Sequence, residues 1–246
     1  MNSDVKSFLS NLQELNDANT VTVKVPSKGK NASFKLASVS QQKKLLSSAF
    51  DGIDGVVKRA NIFNSLITDN SVEDNDYLVI NRPAILIGLR KESVGSKVTI
   101  DDVEYDLNDL SPIKKSDVEL KSTISHDGIK VAVSVPNLEV DSNINDKLIA
   151  ELAKITNEQE KLKQSISLVV SYETSKYIDS IEIGKDVVKF SDISSYERKA
   201  IVDNLPLKLS NKILDYIGGV KAVTDKAVTF DDEVILEIDA SFLSTD

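Results

Sequence analysis

Apolar side chains fall on every second residue in two stretches: Val21, Val23 and Val25 within TVTVKV (20–25), and Ile129, Val131, Val133 and Val135 within IKVAVSV (129–135). That period marks a strand with one buried face. A turn-like segment, Pro26 to Asn31, and ASFKLA (32–37) follow the first stretch and predict a hairpin. DVELKSTIS (117–125) and the tight turn His126-Asp127-Gly128 precede the second, which ends at Pro136 and forms the clearest strand pair of the chain.

Helical spacing fills most of the remainder. Residues 3–16 put Val5, Phe8, Leu9, Leu12 and Leu15 on one face. The simpler expectation is that this face packs on the body of the protein; the alternative is an arm that docks on a partner. Ser38 or Ser40 can cap a helix through Phe50, another runs from Gly55 to Ile67, and an acidic loop follows at Asp69 to Asp76. In the segment from Tyr77 to Leu107, Asn81 can cap a helix that has Pro83 near its start and Ile85, Leu86 and Leu89 on its apolar face. Arg90 and Lys91 lie near the negative end of its dipole, and Gly95 is a natural C-cap. Val98, Ile100, Val103 and Tyr105 then predict two strands turning at Asp101-Asp102.

Ile144, Leu148 and Leu152, widened by Ile149 and Ile155, predict a helix that either continues through NEQEKLKQ (157–164) or breaks near Asn157. The carboxy-terminal third echoes the first lobe. FKLASVS (34–40) and VKFSDIS (188–194) share a pattern, as do VTIDD (98–102) and VTFDD (228–232). Such short matches arise either by chance or from a duplicated unit; a duplication would make the second lobe hairpin, helix Ser195–Asn204, helix Lys208–Gly218 and a final strand Val228–Ile238. The expected fold is α+β, two small mixed lobes bridged by a central β-hairpin and helix. Its parts are an N-terminal helix (1–18), an N-terminal lobe (19–112), a hairpin and helical connector (113–177) and a C-terminal lobe (178–246).

Composition narrows the function. With 246 residues, 41% hydrophobic and 28% charged, the chain is globular and long enough for a real core. A net charge of −9 argues against a nucleic-acid partner, which needs surplus Lys and Arg. Solvated faces account for Lys43-Lys44 and Lys114-Lys115. Having no cysteine rules out disulfides, thiolate catalysis and cysteine-bound zinc. No apolar run is long enough to span a membrane, and the amino terminus lacks the pattern of a signal peptide.

No catalytic constellation emerges. His126 is the single histidine and fits a turn. The paired acids Asp101-Asp102, Asp231-Asp232-Glu233 and Glu237 with Asp239 fall at hairpin turns, where Asp bonds its own backbone. VEDND (72–76) lacks the alternating ligands and glycine of a calcium loop. Gly218-Gly219 suits a C-cap, no nucleotide fingerprint or G-x-S-x-G occurs, and Tyr172, Tyr177 and Tyr196 fit core or interface packing.

Five phrases, in order, resemble one family. VTVKVPSKGKNASFKLASVSQQKKLL (21–46) resembles the amino-terminal signature of T4-like bacteriophage baseplate hub and hub-assembly proteins, in which a strand and a P-S-x-x-K turn precede a basic-leucine helix. PAILIGLRKESVGSKVTIDDVEYDL (83–107) is similar to its L-R-x-x-S-V-G segment, and YETSKYIDSIEI (172–183) to its K-Y-I-x-S-I step. ERKAIVDNLPLKLSNKILDYI (197–217) resembles its F-I-x-x-L-P segment, and LEIDASFL (236–243) its acidic-aromatic tail. Gly218-Gly219 stands where the family often has Met-Pro, and Ala37-Ser38 where bulkier residues are expected.

The resemblance implies a non-enzymatic hub component or assembly factor of a contractile tail, with other baseplate hub or tape-measure proteins as partners. It would work in the host cytoplasm during assembly or in the virion's tail baseplate, with no cofactor and no catalytic or metal residues. The competing readings are a metal-dependent hydrolase built on the acidic clusters and a non-viral peptide-binding adaptor.

Overall fold

In the computed structural model, residues 3–73, 76–117, 119–231 and 233–244 are described. Asp74 and Asn75 of the acidic run, Val118 before the central hairpin, and Asp232 lie outside them.

β1 (Thr20–Val25) and β2 (Lys30–Lys35) form the first hairpin, with Val21, Val23, Val25, Ala32 and Phe34 on its buried face. Of the two candidate caps it is Ser38 that starts α2 (Val39–Ser47). Its hydroxyl accepts from the Gln41 amide at 3.3 Å while the Gln41 side chain accepts from the Ser38 amide at 2.9 Å. A 3-10 turn carries the chain to Phe50, and α3 (Gly55–Asn70) and α4 (Arg82–Ser93) follow. β3 (Lys97–Ile100) and β4 (Val103–Asp106) then turn at Asp101 and Asp102, both at positive φ (49° and 63°), as a two-residue I′ hairpin requires. Gly95, at φ 132°, closes α4 by donating its amide to the Arg90 carbonyl.

Asn81 has helical backbone angles and does not cap α4. Instead its buried side chain ties the β1–β2 turn down: Oδ1 accepts from the Ser27 amide at 2.9 Å, and Nδ2 donates to the Ser27 hydroxyl at 2.8 Å. α4 lies so close to β1 that a Cβ on Gly88 would collide with the Val23 side chain.

The central hairpin, β5 (Lys121–His126) and β6 (Ile129–Ser134), is not a bridge between lobes. β6 pairs with β7 (Ile178–Ile183), which pairs with β8 (Asp186–Lys189), making one four-stranded antiparallel sheet of order β5-β6-β7-β8. α5 (Leu138–Leu152) and α6 (Glu158–Lys176) are inserted between β6 and β7. The helix therefore breaks near Asn157, and the two segments pack back on each other through Ile144, Leu148, Leu152 and Tyr172. α7 (Ser195–Asp203), opened by a second capping box at Ser194 and Glu197, and α8 (Leu207–Lys226) cover the sheet with Val202, Leu209 and Ile213 over Val131, Val133, Ile178 and Ile181.

Three further expectations are corrected. α8 does not stop at Gly218-Gly219 but runs on to Lys226, because Val220 and Val223 bury against Ile113 and Tyr177 beyond the glycines. The final strand is a hairpin of two-residue strands, β9 (Thr229–Phe230) and β10 (Val234–Ile235), folded at Asp231 (φ 48°). The chain after α8 also leaves the second lobe: Val228, Phe230, Leu236, Phe242 and Leu243 enter the first core beside Val21, Phe34 and Leu86. The α+β class stands.

α1 (Ser3–Ala18) is held by an ion pair between Asp17 and Lys35 at 2.8 Å, but its apolar face is not packed on the body. Val5, Phe8, Leu9, Leu12 and Leu15 are 40–62% exposed.

Candidate functional site

Where α3, α4, α5 and α6 meet, the sequence places polar residues inside the apolar stripes: Asn61 and Asn64, Arg82, Asp141 and Asn145, Glu173 and Lys176. The structure draws them into one network, with Asn64, Asp141, Asn145 and Lys176 buried and Asn61, Arg82 and Glu173 half-buried at its edge. Asp141 Oδ1 takes Lys176 Nζ at 2.8 Å, and Oδ2 takes the Arg82 guanidinium and Asn64 Nδ2, the latter at 2.8 Å. Lys176, its side chain 2% exposed, also donates to Asn145 Oδ1 at 2.7 Å and pairs with Glu173. Arg82 Nε donates to Asn64 Oδ1 at 3.0 Å, and Asn145 Nδ2 to Asn61 Oδ1 at 2.8 Å.

Burial alone would push the Asp141 carboxyl up, but the Arg82 and Lys176 cations and the bonds from Lys176 and Asn64 outweigh it and hold it at about 2. A carboxylate with both oxygens engaged by cations, out of water, is neither a base nor a nucleophile in waiting. The network fastens four helices. Sequence reasoning missed it; the available signal was polar residues at i,i+3 and i,i+4 on otherwise apolar helix faces.

A second fastening holds the carboxy-terminal segment. Arg90 is buried, and its Nη1 donates to the carbonyls of Phe242 and Ser244 while Nη2 donates to that of Lys97, each at 2.9 Å. The guanidinium lies 5.6 Å from the Phe242 ring centroid. Gln42 adds a bond to the Leu243 carbonyl at 2.9 Å. Arg90 is thus a clamp on backbone carbonyls, not only a partner of its own helix dipole.

The residues weighed for chemistry lie elsewhere. His126 ends β5 opposite Ile129, its Nε2 3.2 Å from an Asp127 carboxylate oxygen, and the turn itself is Asp127-Gly128. Asp101, Asp102 and Asp231 occupy turns at positive φ. Asp101, Glu237 and Asp239 line one open cleft of 420 Å3 with Arg90, yet Asp239 Oδ1 is engaged by the Ser241 amide and hydroxyl at 2.8 Å each. Among the described residues, no group of three or more His, Cys, Asp and Glu could hold a metal ion. Nor is any helix among them long and apolar enough to cross a membrane. Burial raises the phenols of Tyr172 and Tyr177 above the ordinary range; both are core residues, whereas Tyr196 is exposed on α7.

What the surface does offer is unpartnered apolar area. On α6, Leu162, Ile166 and Val170 recur every fourth residue along one face, 58%, 68% and 46% exposed. Single exposed apolar residues are ordinary; these three fall in one aligned row.

A family model described as T4 bacteriophage base plate protein matches residues 18–227, a span containing every element from β1 to α8 and, of α1, only Ala18. No curated protein matches the chain, and no solved structure does.

Proposed function

Because the chain belongs to the T4 bacteriophage base plate protein family, we propose that it acts without catalysis in building the hub of the base plate, as a hub subunit or as an assembly factor for the tape-measure protein. The family carries a structural or assembly role in a phage base plate. The finer assignment is supported by one observation above all: the row Leu162, Ile166 and Val170 lies within the matched span and offers a helical partner an apolar face. Two internal fastenings, around Asp141 and Arg90, tie together the body that carries that face.

Two arms test the reading. Purified virions and infected-cell lysates are compared by mass spectrometry. A stoichiometric amount in virions identifies a retained subunit, and presence only in lysates identifies a factor that leaves. Co-expression with hub and tape-measure proteins should yield a complex that Ile166→Asp disrupts. A phage lacking the gene that still builds normal base plates would overturn both variants.

A further inference from the structure

From Leu236 to Ser244 the chain has no helix or strand, yet Leu236, Ala240, Phe242 and Leu243 are buried. Among the described residues, the backbone bonds from Glu237 onward stay within the segment: the Phe242 amide donates to the Asp239 carbonyl at 3.4 Å, and the Ser244 amide to that of Ser241 at 2.7 Å. Side chains of the body do the holding. Arg90 donates to the carbonyls of Phe242 and Ser244 and Gln42 to that of Leu243, while the Leu243 side chain lies beside Leu45, Ile62 and Leu66. The first core thus grips this segment as a groove grips a peptide, by apolar anchors and by donors aimed at its carbonyls.

The segment also lies open along its flanks and has a hinge. Clefts of 420 and 580 Å3 share Ile235, Leu236, Glu237 and Asp239 as a wall, so this stretch crosses the first core as a strip with space beside it. It is joined to the buried Phe230 by the turn at Asp231, whose φ of 48° is unfavourable for a residue with a side chain. The hairpin that this turn closes pairs only two residues on each strand. Straightening it relieves Asp231 and breaks little else, which is the setting in which a terminal segment changes owner.

We propose that residues 234–244 form an exchangeable strap: at high concentration the strap of one copy leaves its own bed and seats in that of a second copy, which returns its own, closing a two-fold dimer. The contact itself fixes the occupant. An empty bed would expose Leu45 and Leu66 and take from Arg90 two of its three carbonyl acceptors. What refills it must supply an aromatic, a leucine and three consecutive carbonyls in the order that Arg90 and Gln42 already read, and a second copy supplies them all. The inference stands apart from the hub assignment, because the strap lies outside the matched residues 18–227 and the test needs only this chain.

The chain has no cysteine, so introduced thiols report the exchange directly. Gln42 and Ser244 are half-buried and meet with Nε2 3.4 Å from Oγ; Gln42→Cys puts a thiol on the bed and Ser244→Cys one on the strap. The double variant, refolded from urea in dilute solution, calibrates the shortest bismaleimide that bridges the pair within one chain. A short tether acts at an effective concentration of the order of a millimolar, so refolding at about 5 µM should give monomer and at about 500 µM a measurable share of dimer. Equal amounts of the two single variants, refolded together at the higher concentration, should yield a dimer bridged by that reagent between position 42 of one chain and 244 of the other, identified by mass spectrometry. The wild-type dimer should outlast dilution and high salt on gel filtration, since its contacts are buried and its acceptors uncharged. A wild type that refolds only to monomer overturns the proposal. So does a dimer without the 42–244 bridge between chains, or one that dissociates at once on dilution, which would indicate contact through an outer face.

Discussion

The joint around Asp141 and the helix α1 invert the usual placement of residues in opposite ways. At the joint, Asp141, Lys176, Asn64 and Asn145 sit inside the protein, bonded to one another and to the half-buried Arg82, Glu173 and Asn61. On α1, five large apolar side chains stand outside with an exposed face. A buried charge is costly unless paired, and its partners must come from several elements at once; such a group reports how the chain is fastened to itself. An exposed apolar row adds little to the fold that carries it and reports what the chain meets. Burial and exposure thus separate the residues that hold this protein together from those that the fold leaves uncovered.

The largest expected effect breaks the inner side of that contrast. Asp141→Ala leaves Lys176 and Arg82 facing each other without their shared carboxylate, and urea unfolding should show a loss of about 3–5 kcal/mol. A loss below about 1 kcal/mol would mean the network is ornamental rather than a fastening.

The pH dependence of the same group is the next largest. Its folded pKa of about 2 lies below the unfolded value of about 3.9, so its contribution is present above that unfolded value and disappears as pH falls through the folded one. Wild type should lose about 2 kcal/mol between about pH 4 and pH 2 in excess of Asp141→Asn. Parallel curves for the two proteins would remove Asp141 from the account.

Glycines sharpen the contrast with one residue type in two settings. Gly88→Ala forces a methyl against Val23 and should destabilise by about 1–3 kcal/mol in the same assay. Gly218→Ala and Gly219→Ala, in the exposed interior of α8 with open space around each, should stabilise by up to about 1 kcal/mol apiece, read as a rise in Tm. The smallest effect belongs to α1: Leu12→Asp should leave the unfolding free energy within about 0.5 kcal/mol of wild type.

The local elements were legible because their signals are local. Alternation marks β1 and β6, Asp101-Asp102 marks the β3–β4 turn and Asp127-Gly128 the β5–β6 turn, and Ser38 marks the start of α2. The pairing of β6 with β7 was not legible, since alternation fixes a strand's faces but not its neighbour, and two helices intervene. Gly218-Gly219 misled because glycine weakens a helix only by about 1 kcal/mol each, which burial of Val220 and Val223 beyond them offsets. Asn64, Asp141 and Lys176 looked like any polar helix residues, for their i,i+3 and i,i+4 spacing from Asn61, Asn145 and Glu173 suits a solvated face equally well. Their value as a site lies in four helices converging, which no single stretch of sequence shows.

The central claim is that the α6 row faces a partner and not the fold. Its most direct test is the plating efficiency of phage carrying Leu162→Asp/Ile166→Asp in this gene, with the purified variant retaining the wild-type urea midpoint. The account predicts a large fall in infectious particles despite that unchanged midpoint. Plating equal to wild type would contradict it.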